Sequence, residues 1–236
     1  MRSFTYATDQ VGLKENLFNS QRRFIADVGH ELRTPLTVIK GNVGLMRKLE
    51  CGDEESLASI DTEVDRLNRM VGDLLLLARA ESGKLPLNRE NVELDTLLLE
   101  VLQQTKVLAA NRLDLRLDEI DLVLVCGDRD RLKQVLLNLI GNAIKYTHQG
   151  GEVVASLGKV GDQARVTISD NGPGIPTEDL PHIFDHFYRV EEHKGMEGSG
   201  LGLAMVKSIV KAHDGTISVH SQVDKGSVFT ITLPAV

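Results

Sequence analysis

A histidine and a glutamate stand side by side at His30 and Glu31 in the stretch FIADVGHELRTPLTVIKG, Phe24 to Gly41, with a proline four residues after the glutamate. A neutral imidazole facing solvent is a nucleophile. An adjacent carboxylate can take the proton of the other ring nitrogen, orient the tautomer and stabilise the cation that develops on attack. Pro35 has no N–H to offer the Glu31 carbonyl, so a kink is expected just below the pair, one that would couple helix geometry to access to His30. A lone histidine on a helix is more often a surface or capping residue, and ELRTP alone reads equally as a bent helix without chemistry. The pair gains meaning only from what lies downstream.

A second set of chemistry-bearing residues begins after Asp128. In RDRLKQVLLNLIGNAIKY, Arg129 to Tyr146, the residues Gln134, Asn138 and Asn142 recur every four positions on one helical face, with Lys145 three further on. Amides are weaker helix formers than Glu or Lys, so a purely solvated face is a poor use of them. Carboxamide oxygens aligned with a lysine suit a Mg2+ ion carrying phosphates, because Mg2+ takes few protein ligands and keeps its waters. In ARVTISDNGPGIP, strand alternation puts Asp170 in phase with Val166 and Ile168, so its carboxylate points inward and needs a partner. A turn or a helix cap would supply one. With Gly172 and Gly174 around Pro173 allowing close approach, Asp170 would instead accept from an exocyclic amine such as adenine's. In GMEGSGLGLAMVKSIV, Gly198, Gly200 and Gly202 lead into a helix, whose N-terminal amides bind anions. A glycine run alone is more often a flexible loop. This one is no Walker A loop, and no strand leads directly into it as a dinucleotide fold requires. Between Asp185 and Gly200 the composition suits a mobile lid.

These residues need elements to hold them. From Ile25, apolar positions at Val28, Leu32, Leu36, Ile39, Val43 and Met46 mark an amphipathic helix, interrupted at ECGDEES with Gly52 as its stop. Leu57, Ile60, Val64, Leu67, Val71, Leu74 and Ala78 then alternate steps of three and four, a coiled-coil seam. Two such helices form an all-α hairpin whose stripes bury fully only against a second copy, so a dimeric four-helix bundle is expected. Residues 1–17 read as an extension of the first helix, 18–82 as the hairpin, 83–90 as a linker carrying Gly83 and Pro86, and 91–236 as a second domain. In that domain LVLVCGD, EVVASLG, ARVTISD, TISVHSQ and SVFTITLP read as strands. They alternate with helices at Leu94 to Ala110, Arg129 to Tyr146 and Leu201 to Ala212, giving an α+β sandwich with one sheet and helices on one face.

Composition narrows the classes. With 236 residues, 42% hydrophobic and 26% charged, the chain is globular and long enough for one large or two ordinary domains. A net charge of -7 argues against a nucleic-acid partner, which needs clustered Lys and Arg. Cys51 and Cys126 have neither zinc-ligand nor disulfide-framework spacing, and a reducing cytoplasm fits best. No apolar run approaches the roughly 18 residues of a membrane span. The expectation is no membrane contact by this segment, which reads as cytoplasmic, whether free or as the cytoplasmic part of a membrane-anchored parent.

Taken together and in order, the downstream motifs resemble the Bergerat-type ATP-binding fold of histidine kinases, Hsp90, MutL and type II topoisomerases. HELRTP, then a heptad helix, the N-box-like NLIGNAIKY, the G1-like DNGPGIP, the F-box-like IFDHFYR and the G2-like GSGLGLA look like a sensor histidine kinase of the HisKA type, over about Ser20 to Val236. The resemblance implies that His30 is the phosphoacceptor, attacking the γ-phosphate of ATP held in the second domain. It implies Asn142 as Mg2+ ligand with Asn138 as polar support, Lys145 and Tyr146 on phosphates or sugar, and Asp170 on the adenine amine in a pocket shaped by Gly172 and Gly174. Gly198, Gly200 and Gly202 would frame the lid and phosphates, and Arg189 would neutralise charge on the moving phosphoryl group. Thr34 matches the position that orients water for dephosphorylating a partner. ATP and Mg2+ as cofactors, a homodimer, and a response-regulator receiver domain docking around Leu36 to Met46 and Leu67 to Leu75 complete what the resemblance implies. Two other readings stand beside it: an ATPase of the same fold that forms no phosphoenzyme, and a dimeric docking scaffold with a degenerate ATP site. The His30 and Glu31 pair on a dimerising hairpin argues against the first, and intact Asn142, Asp170 and glycines against the second.

Overall fold

The computed structural model describes residues 28–46, 54–110, 112–191 and 198–236. The expected extension over residues 1–17 and the stop at Gly52 lie outside them. The chain divides into two compact units between Gly72 and Asp73, each described by itself below.

In the first unit, helix α1 covers residues 28–46 and runs unbroken through Pro35. The expected kink does not interrupt the helix. One missing donor removes a single hydrogen bond, and the ring of Pro35 is buried while Arg33, Thr34, Leu36 and Thr37 around it are exposed. Thr37 adds a bond from its hydroxyl to the Arg33 carbonyl at 2.8 Å. Helix α2 (Glu54–Glu81) opens with Glu54 and Glu55 and ends with Arg79 in its last turn, charges that complement the helix dipole. Asn42 Nδ2 donates to Ser59 Oγ at 3.0 Å, joining the two helices. The heptad seam is only partly covered within one chain: Leu57, Val64 and Val71 are 50%, 41% and 46% exposed, whereas Met70 is 2% exposed. Such a stripe is stable in water when a second helical surface covers it.

The second unit is built on a five-stranded mixed sheet of β2 (Asp114–Ile120), β4 (Glu152–Val160), β5 (Gln163–Asp170), β7 (Gly226–Pro234) and β6 (Thr216–Gln222), in that order. β2 and β4 are parallel and the remaining pairs antiparallel. Against it pack α3 (Leu94–Ala109), α4 (Arg129–Tyr146) and α5 (Gly202–Ala212). Leu97, Leu98, Leu139, Ile140, Ile209, Leu157, Ile168 and Ile231 meet in the core with almost no exposed surface. Burying each contributes about 1.5–3 kcal/mol. The sandwich is as expected, but the single sheet is not. LVLVCGD forms β3 (Leu124–Gly127), which pairs antiparallel with β1 (Glu90–Glu93) in a separate two-stranded ribbon, joined to the rest by the Val125 to Ala235 bridge. β1 and β2 were absent from the expected strands.

Helix α4 is anchored at both ends. Asp128 caps its start by accepting from Arg131 N at 3.1 Å. At its end the Arg112 guanidinium donates to the carbonyls of Ile144, Lys145 and Thr147, the last at 2.7 Å, which satisfies acceptors that the helix leaves open. Among the described residues no helix is long and apolar enough to cross a membrane.

Candidate functional site

Helix α4, the ends of β5 and β7 and the glycine segment before α5 enclose a cleft of about 240 Å³ in the second unit. Asn138, Asn142, Lys145, Tyr146, Asp170, Gly174, Arg189, Gly198, Gly200 and Gly202 all line it. Gly172 does not. Its amide instead donates to Asp170 Oδ1 at 2.9 Å, so it acts one step behind the wall.

Asp170 ends β5, where its neighbours in phase are buried. Burial pushes its carboxyl above the ordinary carboxylate range, and the backbone amides of Gly172 and Ser227 pull it back. Beyond it the chain turns sharply at Gly174, whose φ is +73° and where a Cβ would lie 2.1 Å from the Gln222 carbonyl oxygen. Only glycine satisfies both conditions.

On α4, Asn138 Nδ2 donates to the Gln134 carbonyl at 2.9 Å. That bond fixes the amide and leaves Oδ1 facing α5, 2.7 Å from where a Cβ on Gly202 would stand. Lys145 Nζ bonds Tyr146 Oη at 3.3 Å and lies over the Tyr146 ring, 4.8 Å from its centroid. It also sits 3.0 Å from the Cβ position of Gly198. The lysine therefore meets the glycine segment at closest approach. α5 begins without a side-chain cap, so the amides of its first turn are available to an anion in the cleft.

Gly200, at φ +71°, packs on the backbone of Phe187, whose carbonyl carbon would be 2.6 Å from a Cβ. Phe187 itself holds φ +59°, a conformation that costs a bulky residue about 1–2 kcal/mol. Tyr188 and Arg189, which follow, both line the cleft. The Tyr188 hydroxyl donates to Asp179, and that bond pushes its pKa up to about 12.

The residues fit a nucleotide with Mg2+ by the chemistry of their donors. Among the described residues no group of three or more His, Cys, Asp or Glu side chains could hold a metal. A Mg2+ ion here would be held by the Asn142 oxygen, by phosphate oxygens and by water, the sparse coordination this ion accepts.

His30, Glu31 and Thr34 stand on α1 in the first unit. His30 and Thr34 are exposed and Glu31 half-buried. The ring contact of His30 is from Arg33 Nη1 to Nδ1 at 3.5 Å, a long one. Among the described residues no hydrogen bond joins His30 to Glu31, since consecutive helical side chains diverge while i and i+3 share a face.

Ser227 and Phe229 line the cleft without having been singled out in the sequence. Alternation in GSVFTITLP places Ser227 in phase with Phe229, Ile231 and Leu233, all buried. A hydroxyl among inward apolar positions is the same signal that marked Asp170.

Two family models match the chain: "His Kinase A (phospho-acceptor) domain" over residues 20–83, and "Histidine kinase-, DNA gyrase B-, and HSP90-like ATPase" over residues 127–236. The sensor histidine kinase CusS of Escherichia coli O6:H1 is 38% identical, over 99% of this chain and 49% of that protein. The signal transduction histidine-protein kinase BaeS of Escherichia coli K12 is 36% identical, over 91% of this chain and 47% of that protein. The chain thus spans about half the length of these curated relatives. Among solved structures, the Acinetobacter baumannii histidine kinase AdeS superposes with a TM-score of 0.71 at 34% identity, over 87% of this chain and 97% of that one. The histidine kinase ThkA, solved in complex with the response regulator protein TrrA, gives a TM-score of 0.70 at 25% identity, over 100% of this chain and 67% of that one.

Proposed function

Since the chain belongs to the histidine kinase family, we propose that it is the catalytic portion of a sensor histidine kinase, which phosphorylates His30 from ATP and passes the phosphoryl group to an aspartate of a response-regulator receiver domain. The convergence of Asn142, Lys145, Asp170 and the glycine segment on one cleft carries this reading.

In the proposed reaction a nitrogen of the neutral His30 ring attacks the γ-phosphorus of ATP. The N–P bond forms as the bond from γ-phosphorus to the β,γ-bridging oxygen breaks, ADP leaves, and the ring proton passes to a base or to water. Glu31 is the nearest carboxylate in sequence and would act once the ring turns from Arg33. Asp170 accepts from the adenine amine, Lys145 and the α5 amides bind phosphate oxygens, and Arg189 counters charge on the phosphoryl group in transit. Asn142, with Asn138 beside it, holds Mg2+, which supplies charge neutralisation at the phosphates. Thr34, exposed one turn from His30, would position water for dephosphorylating the partner.

The incompletely covered seam at Leu57, Val64 and Val71 supports a homodimer. Leu36 and Leu45 on helix α1, each more than half exposed, give a receiver domain apolar contacts on the hairpin. The setting that fits these partners is the cytoplasm.

Incubation with γ-labelled ATP and Mg2+ tests the proposal. An acid-labile, base-stable label that disappears in His30→Gln supports it. ATP turnover with no label on the protein would favour the ATPase reading, and neither binding nor label would favour the scaffold.

A further inference from the structure

The hydroxyl of Ser221 lies behind the cleft wall where three segments meet. It accepts the amide hydrogen of Ile175 at 2.8 Å. It donates to the Gly226 carbonyl at 2.9 Å. Its oxygen also stands 2.9 Å from Ser227 Oγ. A serine hydroxyl has one hydrogen and two acceptor lone pairs. A carbonyl can only accept, so the Gly226 bond uses the one hydrogen of Ser221. The contact between the two serines therefore has a single possible direction: Ser227 donates and Ser221 accepts.

Ser227, 5% exposed, faces Asp170 across the β5 and β7 register and lines the cleft with it. With its hydrogen committed to Ser221, it has only lone pairs to offer a ligand. Asp170, already receiving the Gly172 amide, likewise offers acceptors.

Resting on the reading of this cleft as the ATP site, we infer that Ser221 is a positioning residue for base selection: by taking the hydrogen of Ser227 it makes the wall around Asp170 acceptor-only, which favours a 6-amino purine over a 6-oxo purine. An amine placed there donates to the wall. A 6-oxo oxygen in the same place meets lone pairs, and a buried acceptor without a donor is costly. Ser221 does not itself line the cleft, so its effect runs through Ser227.

Dissociation constants of the full chain for ATP and for inosine triphosphate, both with Mg2+, test the inference. The wild-type chain is expected to prefer ATP. Ser221→Ala frees the Ser227 hydroxyl to turn its hydrogen into the cleft, and the preference for ATP is expected to fall about tenfold, with inosine triphosphate gaining. Ser221→Thr keeps the hydroxyl and should restore the preference. Ser221→Cys, a weak acceptor, should shift the ratio as alanine does and serves if the alanine variant does not fold. In a Ser227→Ala background, Ser221→Ala should leave the ratio unchanged. Equal weakening of both nucleotides by Ser221→Ala, or a change of ratio that persists without Ser227, overturns the inference while leaving the ATP site standing. A wild-type chain that binds neither nucleotide overturns both.

Discussion

Gly202→Ala separates nucleotide binding from stability. The added methyl group would stand 2.7 Å from Asn138 Oδ1 and 3.6 Å from its Cγ, so the amide must retreat by several tenths of an ångström to reach ordinary contact at 3.4 Å. The obstacle is the tip of one side chain, not backbone, which keeps the displacement inexpensive. Turning Asn138 strains or breaks its 2.9 Å bond to the Gln134 carbonyl, worth about 1 kcal/mol net. Alanine in place of glycine in a helix returns at most about 1 kcal/mol, and less at a first position. The unfolding free energy is thus expected within about 1 kcal/mol of wild type. Binding should suffer more, because both the Asn138 oxygen and the start of α5 line the cleft. A loss of about tenfold in ATP affinity follows if one good polar contact is forfeited. Gly141→Ala is the control: on the same α4 helix, a Cβ there meets nothing within 4 Å, so this variant should gain about 1 kcal/mol and bind ATP as before. Urea unfolding and calorimetric titration with ATP and Mg2+ give both quantities. Undiminished ATP affinity in Gly202→Ala, or a loss of several kcal/mol in stability, would refute the placement of Asn138 against the glycine segment.

His213 is 3% exposed, accepting from Asp128 N at 2.9 Å and donating from Nδ1 to the Ile209 carbonyl. Burial lowers its pKa from the ordinary 6.5, with the Ile209 bond, Asp128 and Asp214 opposing and Arg89 adding to the shift. The unfolded chain then binds more protons below that value, so its share of stability is full above about pH 6.5 and lost as pH falls, at up to about 1.4 kcal/mol per pH unit. Unfolding at pH 7.5 and 5.5 should show a smaller pH dependence in His213→Gln than in wild type; equal dependence would contradict this assignment. Val64→Glu places a charge on a 41% exposed position of the heptad seam and is expected to give a monomer by light scattering, whereas an intact dimer would move the interface elsewhere.

The helices were legible because each carries a sustained period of three and four: on α4 the apolar residues Leu132, Val135, Leu136, Leu139, Ile140, Ala143 and Ile144 recur at that period and all are buried. β1 was not legible, having four residues and one buried side chain, Val92. β2 was, in principle, since Leu115 and Leu117 alternate with charged residues; its half-exposed pattern hid it among loop-like acids. The separation of β3 from the main sheet had no local signal. It depends on which strand reaches which partner, and an apolar run such as LVLVCGD is the same whether its neighbour is β1 or β4. The unbroken run of α1 past Pro35 follows the apolar period from Val28 to Met46; the burial of the proline ring had no signal in the sequence, because packing decides it.

For the cleft, the sequence marked residue types whose presence needs an explanation, namely aligned amides, an inward carboxylate and glycines before a helix. It could not mark what holds them. Gly172, expected to shape the pocket of Asp170, does not line the cleft and feeds its amide to Asp170 from behind, which makes its contribution one of geometry. The same holds more strongly for Ser221. In TISVHSQ, alternation separates Ser221, in phase with the half-buried Ile217 and Val219, from the exposed Ser218, but it cannot give the count of hydrogens around one oxygen on which the role of Ser221 depends. Selectivity of this kind is set by donors and acceptors one layer removed from the ligand, where a hydroxyl has already spent its hydrogen on the fold. Substitutions that preserve every cleft-lining residue would therefore still change which base is accepted.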